Sequence, residues 1–427
     1  MCAAVAVLAA MSVVAGCSGG DDAADKKPPK STGQQRPSRP VHDPPQKFAT
    51  DAGTVMPEAA TTGRLTGGVL DADLPVALHQ QTAFVAAPDA VSMVDTVTGK
   101  TVHRITPQGT PLQDEAERLA NTSPATAPLI MPDGESPAVI TPFLVKAAGS
   151  GTQADHTVVE VVGSSAESAR RLWSLPIHLP GWVKDTTSQL TAAVVGAHGD
   201  TVVVRVSDND QAVSYGINSA THRLLWTKPG YRAMTVSGRT MVGVALEDDG
   251  THQRAVGYDV PSGRRLWRGV DSSGVEVQGA GPHLVTAQGS EYDSGDSYAQ
   301  FLDIRDGSVK GKLPRWSSQV CRYDAKDTVV CGGLGNPNWE ARALDARTGK
   351  TLWQLPDRQA DRIAPQVTAV WHGRLYGKTG HGAVVLDART GKDVPAQAGA
   401  APVLVNESVG LALDSKGDQL MAYPTSG

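Results

Sequence analysis

Eight acidic residues on three loops are the side chains whose type and spacing best suit them to bind a ligand. They are Asp208, Asp210, Glu247, Asp248, Asp249, Glu291, Asp293 and Asp296, and no Lys or Arg stands in the same loops. Clustered carboxylate oxygens bind divalent cations such as calcium, and a patch of one charge sign attracts a partner of the opposite sign. The loops therefore predict a candidate calcium site or an acidic surface for a basic partner. The alternative is that they are exposed hairpin tips whose charge is screened by solvent.

Other kinds of chemistry lack their residue patterns in this chain. It has eleven histidines and four cysteines, but no His-x-Glu-x-x-His or Cys-x-x-Cys spacing that would hold a transition metal. A P-loop and a dinucleotide-binding fingerprint are also missing. The net charge is −5, from 39 Lys+Arg against 44 Asp+Glu, and a nucleic-acid binder usually carries a basic stripe instead. We therefore expect no catalytic residue, no transition-metal site and no nucleic-acid partner.

The N-terminus carries the pattern of an export signal. Residues 3–15 are apolar except for Ser12, and no other stretch reaches the roughly 18 apolar residues that a spanning helix needs. The apolar run ends in Val14-Ala15-Gly16-Cys17, which resembles the bacterial lipobox. The resemblance implies that residues 1–16 are a signal peptide and that Cys17 is lipidated, which would anchor the protein on the outer, extracytoplasmic face of the cell membrane. Since no Lys or Arg precedes the run, a start codon further upstream and secretion without a lipid stay open as alternatives.

Residues 17–60 have the composition of a disordered tether. The segment between residues 21 and 48 contains six prolines, mixed charges and almost no apolar side chains. Such a chain cannot bury enough surface to offset its conformational entropy, and its prolines favour extended conformations. We expect this tether to hold a folded domain away from the membrane.

Two further cysteines, Cys321 and Cys331, lie ten residues apart around Lys326. If this segment is a hairpin that turns at Lys326, the two cysteines face each other on paired strands, where Cβ atoms are about 4.5–5.5 Å apart. That separation allows a disulfide with modest adjustment, and an oxidising exterior favours one. The alternative is a pair of buried free thiols.

A repeat of about 42 residues organises the rest of the chain. Its clearest copies are residues 343–353 and 385–392, and the Asp-equivalent positions 218, 259, 303, 345 and 387 are 41 to 44 residues apart. In this unit a β-rich run ends in Asp, whose carboxylate can accept backbone N–H groups two or three residues on, and a Gly able to take positive φ follows. A Trp eight residues after the Asp can fill the space between packed sheets. Four short strands per period are typical of a β-propeller.

The unit Leu-Asp-Ala-Arg-Thr-Gly-Lys-Thr-Leu-Trp, at residues 344–353, resembles the repeat of pyrroloquinoline-quinone-like (PQQ-like) propellers, the quinoprotein dehydrogenase fold. The resemblance implies an all-β propeller of four-stranded blades over residues 61–427, closed by pairing of N- and C-terminal strands. We expect eight blades, with seven as the alternative, and a strand near residues 64–69 to complete the last blade. The wide step between Asp95 and about Ser165 predicts an insertion around residues 107–135, with a short helix at 113–120.

Repeats of this kind imply a fold far better than they imply a function. The adjacent-cysteine pair and the calcium-ligand motifs of quinone-dependent dehydrogenases are not recognisable, so we expect no enzyme activity and no cofactor beyond calcium on the acidic loops. The sequence predicts a monomeric, non-enzymatic, lipid-anchored binding or scaffold module for a protein, glycan or small ligand. Two alternatives stay open: a quinone-dependent oxidoreductase, and an envelope-assembly lipoprotein that resembles the propeller subunit of the outer-membrane barrel assembly machinery.

Overall fold

The computed structural model describes residues 41–61, 65–66, 69–70, 73–112, 125–131, 137–149, 151–152, 154–183, 190–246, 251–313, 319–333 and 340–427. Nearly all regular structure in these ranges is antiparallel β-sheet, which confirms the predicted all-β class. The predicted signal peptide, Cys17, the part of the tether up to residue 40 and the predicted helix at 113–120 lie outside the described residues. No helix in the described ranges is long and apolar enough to span a membrane.

The strands form eight consecutive units in the described part of the chain, numbered here in chain order, and a single pairing of Gln253 with Ser272 joins units 4 and 5 into one eight-stranded sheet. Unit 1 contains Val76–His79, Thr82–Ala86, Val91–Asp95 and Thr101–Ile105. Unit 2 contains Thr110–Pro111, Leu129–Met131, Ala138–Ala147, His156–Ser165 and Arg171–His178. Unit 3 contains Thr191–His198, Thr201–Ser207, Ala212–Asn218 and Arg223–Pro229. Unit 4 contains Tyr231–Ser237, Thr240–Leu246, Gln253–Asp259 and Arg265–Arg268.

The second half of the chain continues the series. Unit 5 contains Ser272–Gly279, Leu284–Glu291, Ser297–Asp303 and Val309–Lys312. Unit 6 contains Gln319–Tyr323, Thr328–Gly333, Ala341–Asp345 and Thr351–Leu355. Unit 7 contains Gln366–Trp371, Arg374–Thr379 and Gly382–Asp387. Unit 8 contains Leu404–Val405, Val409–Leu413, Leu420–Pro424 and the N-terminal strand Thr54–Val55. Outside the units are the 3₁₀ turns Thr50–Ala52 and Glu58–Ala60 and the paired strands Leu65–Thr66 and Val69–Leu70.

The units pack face to face in chain order. Each of the eight hydrophobic clusters among the described residues joins two consecutive units, as Val203 of unit 3 packs with Ala233 of unit 4, and one cluster joins Leu411 of unit 8 to Val85 of unit 1. The first strands of neighbouring units lie together, whereas a fourth strand such as Arg223–Pro229 is largely exposed. Radially arranged four-stranded sheets are the architecture of a propeller. The number of blades stays a prediction, and these units favour eight blades over seven.

Antiparallel connection gives the propeller two different faces. One face, here called the loop face, carries the connections between second and third strands and those between units. The other, the turn face, carries the hairpins between first and second and between third and fourth strands. The predicted insertion falls within the first strand of unit 2, which is built from two pieces on either side of residues 113–124.

The strand that pairs with the C-terminal strand differs from the predicted one. Thr54 and Val55 pair with Ala422 and Met421, whereas the predicted closing segment at residues 64–69 contributes Leu65–Thr66, which pairs with Val69–Leu70. The N-terminal strand is held there because Met56, immediately after it, is buried beside unit 8.

Residues 41–60 belong to the folded domain, so the predicted tether boundary at residue 60 is too late. The compact unit begins at Pro40. Phe48 is only 4% exposed, and Ala60 is fully buried. A few apolar side chains at the end of a proline-rich segment were enough to place it in the core.

The predicted turn chemistry is confirmed between the third and fourth strands. In unit 6, Asp345 Oδ1 accepts the backbone N–H groups of Arg347 and Thr348 at 3.3 and 2.9 Å. Gly349 follows with a φ of 70°, which L-residues with a Cβ rarely adopt. These hydrogen bonds, led by the one from the Thr348 side chain, hold the pKa of Asp345 below its ordinary value.

In units 3, 4 and 6 the repeated Trp ties the unit to the next one. Trp353 donates its Nε1–H to the carbonyl of Ala388 in unit 7 at 2.8 Å and packs on Gly391 of the same turn. Equivalent bonds run from Trp226 to Val260 and from Trp267 to Ile304. The indole therefore fills the space between units on the turn face and satisfies a backbone carbonyl there.

Candidate functional site

Unit 7 departs from the pattern because it has no complete fourth strand. Its chain continues only as an isolated bridge from Leu386 to Asp393 and a hydrogen bond from Val394 N–H to the carbonyl of Val385 at 2.9 Å. Pro395 follows at the position that Trp353 occupies in unit 6, eight residues after the turn Asp. Proline has no N–H to donate to a strand ladder, so the chain leaves the sheet at this point.

The missing strand lies beside a cavity of about 670 Å³ between units 7 and 8. The cavity opens on the loop face, because its walls are the loop-face ends of the strands of both units. Representative lining residues are Thr368, Lys378, Ala383, Val403, Leu413 and Asp414. Its size is within the range of small-molecule and cofactor sites, which is roughly 300–1,000 Å³.

The same space is closed on the turn face by the N-terminal segment. The ring of Phe48 packs against Gly410 of unit 8 and lies edge-on to Tyr376 of unit 7, with 5.8 Å between ring centres. The Tyr376 hydroxyl donates to the carbonyl of Pro45 at 2.7 Å, and burial raises the pKa of that tyrosine well above its ordinary value. Asp43 accepts a hydrogen bond from the Trp371 indole at 3.1 Å. The N-terminal segment thus fills the space between units 7 and 8 on the turn face, and the cavity lies toward the loop face.

Polar groups in the cavity are few and differ in whether they have partners. The Oγ1 of Thr368 is buried and has no hydrogen-bond partner among the described residues. Thr368 stands at a β-bulge in the first strand of unit 7, and a bulge redirects the side chain of its extra residue. Lys378 is exposed at the cavity edge, and no described residue forms an ion pair with it. Arg322 is paired with Asp73 at 3.2 Å.

Asp414 contributes a carboxylate to the same wall, but its own loop uses it. Its Oδ1 accepts the N–H of Asp418 at 2.9 Å, a bond that lowers the pKa of the Asp414 carboxyl. Among the side chains of the described part of the cavity, the Thr368 hydroxyl and the Lys378 ammonium are thus two polar groups with no described partner.

The predicted acidic loops lie on the loop face but away from this cavity. Asp208 and Asp210 stand between the second and third strands of unit 3, and Glu291, Asp293 and Asp296 at the same place in unit 5. Glu247, Asp248 and Asp249 lie outside the described residues. In the described ranges, no three carboxylate, His or Cys side chains come together as a metal site. The five described carboxylates thus share a face without assembling a calcium site.

Basic side chains from neighbouring strands lie beside these loops. Arg232 donates to the backbone carbonyls of Asp208 and Asn209 at 3.0 and 2.8 Å. Between units 4 and 5, Asp271 accepts a hydrogen bond from Arg254 and lies 3.0 Å from His252 Nδ1. The described part of this face therefore carries both signs of charge, which the loop sequences alone did not reveal.

The predicted disulfide between the two cysteines is confirmed by the structure. Cys321 and Cys331 are directly opposite on the first two strands of unit 6 and form a disulfide, with 4.0 Å between their Cα atoms. Both side chains are buried between units 5 and 6. Their role is structural, and the predicted lipidation residue Cys17 lies outside the described residues.

Part of the chain matches one protein family. Residues 158–325 match the sequence model of the family described as outer membrane protein assembly factor BamB. The repeats are PQQ-like propeller repeats. No curated protein matches the chain.

Solved propellers are similar to this PQQ-like chain at low identity. The Dos1 propeller is 12% identical, with 71% of this chain and 75% of that one covered and a TM-score of 0.43. The β-propeller domain of the Trilobed protease from Pyrococcus furiosus is 10% identical, with 69% and 93% covered and a TM-score of 0.38. TolB from Acinetobacter baumannii is 11% identical, with 82% and 78% covered and a TM-score of 0.31.

Sequence reasoning missed the cavity of this PQQ-like propeller, although one signal for it was present. Pro395 stands where the repeat carries Trp in unit 6, and that substitution marks a unit without a full fourth strand. Thr368 and Lys378 gave no signal of their own, because a single Thr and a single Lys in β-strands are ordinary residues.

Proposed function

We propose that this protein is a non-enzymatic binding module that holds a ligand in the cavity between units 7 and 8. The observation that carries the proposal is the cavity itself. It lies at unit 7, the one unit in the described chain without a full fourth strand, where Pro395 interrupts that strand. Pockets of this size with apolar walls and a few polar groups are typical of binding sites. The Thr368 hydroxyl and the Lys378 ammonium, to which no described residue is bonded, are available for hydrogen bonding and charge recognition.

Anchoring by a lipid on Cys17, at the outer face of the cell membrane, is part of the proposal. Its support is the lipobox-like sequence Val14-Ala15-Gly16-Cys17 after an apolar run. The compact unit starts at Pro40, which leaves more than twenty residues between Cys17 and the folded domain. The cavity can therefore face a partner in the same envelope compartment. Mass spectrometry of the mature protein should find a lipid-modified N-terminus at Cys17, and an unmodified terminus elsewhere would contradict anchoring.

A role in envelope assembly is a second candidate, favoured by the family match. The matched family is described as an outer membrane protein assembly factor. In that role the ligand would be a component of an assembly complex rather than a glycan or a metabolite. It requires an outer membrane, so the envelope type of the source cell tests it directly.

Cross-linking in native membranes tests the binding proposal. A photoreactive residue at Ser415, which lines the cavity and is exposed, should form an adduct with a partner or ligand. The matched control is the same residue at Lys350, exposed on the turn face. Adducts at position 415 alone support the cavity, whereas equal adducts at both positions, or none at 415, contradict it.

Added pyrroloquinoline quinone and calcium should give neither dye reduction nor a rise in melting temperature, and either result would favour an oxidoreductase.

A further inference from the structure

The third strand of unit 7 offers unused backbone hydrogen-bonding groups at the cavity. The carbonyl of Val385 accepts a bond from Val394 N–H, so Val385 points its backbone groups toward the place of a fourth strand. In an antiparallel strand, every second residue points its N–H and C=O to the same side. Ala383 therefore points the same way, and it lines the cavity. No described residue bonds to its N–H or C=O on that side.

Other units show what normally occupies this place. In unit 6, the residue equivalent to Ala383 is Ala341, which pairs with Leu355 of the fourth strand. Leu355 is 2% exposed and belongs to the cluster that joins units 6 and 7. In unit 1, the equivalent pair is Val91 and Ile105, and Ile105 is also buried. In units 1 and 6 an aliphatic side chain on a paired strand thus fills the space between units at this position, whereas unit 3 has Lys228 there and unit 4 has Gly269.

The segment that follows the third strand of unit 7 supplies no aliphatic residue at this position. The residue in the position of Leu355, ten after the turn Asp, is Gln397. It follows Pro395 out of the sheet and is exposed. Both the backbone partner and the aliphatic side chain are therefore missing at Ala383, and the cavity lies where that side chain would pack.

A basic side chain stands directly beside the vacant position. Lys378 is directly opposite Ala383 on the second strand of unit 7 and lines the cavity. Arg322 and Asp73, further along the cavity, neutralise each other. An acidic group beside the vacant position would therefore meet an ammonium that lacks a described partner.

We propose that the ligand is an extended polypeptide segment that adds to unit 7 as its fourth strand. The segment pairs with the N–H and C=O of Ala383 and places a Leu or Ile side chain in the cavity, as Leu355 does in unit 6. An acidic residue or C-terminal carboxylate of the segment lies beside Lys378. Strand addition to an exposed sheet edge is an established mode of peptide recognition, in which backbone bonds give affinity and side-chain pockets give specificity. This inference rests on the proposed function and names its ligand class.

A peptide selection with two variants at one position tests strand addition. The probe is a display library of random octapeptides selected on the immobilised full chain, and the enriched peptides are then synthesised. Ala383→Pro removes the N–H that faces the vacant side and leaves the pairing with the second strand. Ala383→Gly keeps that N–H and is the matched control. Enriched peptides should carry Leu or Ile next to an acidic group, and should bind Ala383→Pro about tenfold or more weakly but Ala383→Gly nearly as well as the unaltered protein.

A scan of the peptide keeps the test independent of whether Ala383→Pro folds. Each backbone amide of a selected peptide is methylated in turn and binding to the unaltered protein is measured. Strand addition predicts that affinity falls at alternate positions only, because alternate residues of a strand point away from the sheet edge. Uniform sensitivity or none, or equal binding to both Ala383 variants, overturns strand addition and leaves the cavity proposal standing. If no peptide is enriched over an Ala383→Trp variant with a filled cavity, the inference also fails, and cross-linking at Ser415 then decides separately whether the cavity binds another ligand.

Discussion

At the scale of single residues, the contact between a Trp and the turn Gly of the next unit determines how tightly two units pack. Trp226 lies against Gly263, whose φ is 64°, and a Cβ added there would be 2.8 Å from the indole Cγ. Real Cβ atoms do not approach other atoms so closely. The glycine is therefore required twice, once for the backbone conformation and once for the indole.

Replacing this glycine should separate the two requirements. Gly263→Ala strains the left-handed backbone and also displaces Trp226. Gly238→Ala, at a φ of 52° with no atom near the added Cβ, strains only the backbone. We expect Gly263→Ala to lower the free energy of unfolding by about 1–3 kcal/mol more than Gly238→Ala, the usual cost of overpacking. Urea titrations measure the difference, and equal losses would show that the indole does not fix the turn.

Asp303 should contribute to stability in a pH-dependent way. Its buried carboxylate accepts hydrogen bonds from the Arg305 side chain, which hold the pKa of Asp303 well below its ordinary value of about 4. Because the folded-state pKa is the lower one, this stability is present above about pH 4 and is lost as the pH falls below it. Asp303→Asn should therefore flatten the acid limb of the stability curve, unlike the exposed control Asp361→Asn. Parallel acid limbs in both variants and the unaltered protein would contradict this.

The turn residues were predictable from the sequence even where the repeat is degenerate. Four residues after the weak anchors Ser165 and Asn218, Ala169 and His222 both have a φ of 55°, the conformation that Gly adopts in the clear copies. Local hydrogen bonding fixes such turns, so local sequence reveals them. Lys378 could not be identified in this way, because it matters only beside a space that distant segments leave unfilled.

At the scale of elements, the segment before the first unit is where prediction and structure differ most. Its composition suggested a tether, yet Phe48 packs between units 7 and 8 and Thr54–Val55 pairs with the C-terminal strand. Composition averages over a window, whereas one buried aromatic side chain and one strand pairing can order a segment. The segment closes the cavity at the turn face.

Changes in this segment should affect stability as changes in a core do. Phe48→Ala should cost about 3–5 kcal/mol in free energy of unfolding, the usual range for a buried aromatic side chain. Val41→Ala, at a residue that is 62% exposed, is the control and should cost little. Thermal and denaturant unfolding measure both variants. If Phe48→Ala were as stable as the control, residues 41–60 would be a tether after all.

The hairpin of unit 6 combines a correct prediction with a measurable consequence. The disulfide between Cys321 and Cys331 closes a short loop, and constraining the unfolded chain in this way contributes about 2–3 kcal/mol. We expect the double variant Cys321→Ala/Cys331→Ala to lose this amount, and reductant to destabilise the unaltered protein but not the variant. A melting temperature insensitive to reductant in the unaltered protein would contradict a stabilising role.

At the scale of the whole molecule, unit 7 is the unit of the described chain that lacks a full fourth strand, and that gap creates the site. The repeat and its β-class were predictable because five turn anchors, at positions 218, 259, 303, 345 and 387, are 41 to 44 residues apart. The cavity was not predictable from the sequence. It depends on Pro395, where the fourth strand of unit 7 ends, and on residues 41–55 from the other end of the chain, which fill the space between units 7 and 8 on the turn face only. Long-range packing of this kind has no local signature.

Hydrogen–deuterium exchange at Ala383 tests the central claim most directly, that unit 7 has a vacant strand position which a ligand occupies. The internal reference is Ala341, the equivalent residue of unit 6, which pairs with Leu355. In the purified protein, the account predicts that the amide of Ala383 exchanges much faster than that of Ala341; in native membranes, where the partner is present, it predicts that Ala383 becomes protected. Fast exchange at Ala383 in both samples would contradict an occupant, and slow exchange already in the purified protein would contradict the vacancy.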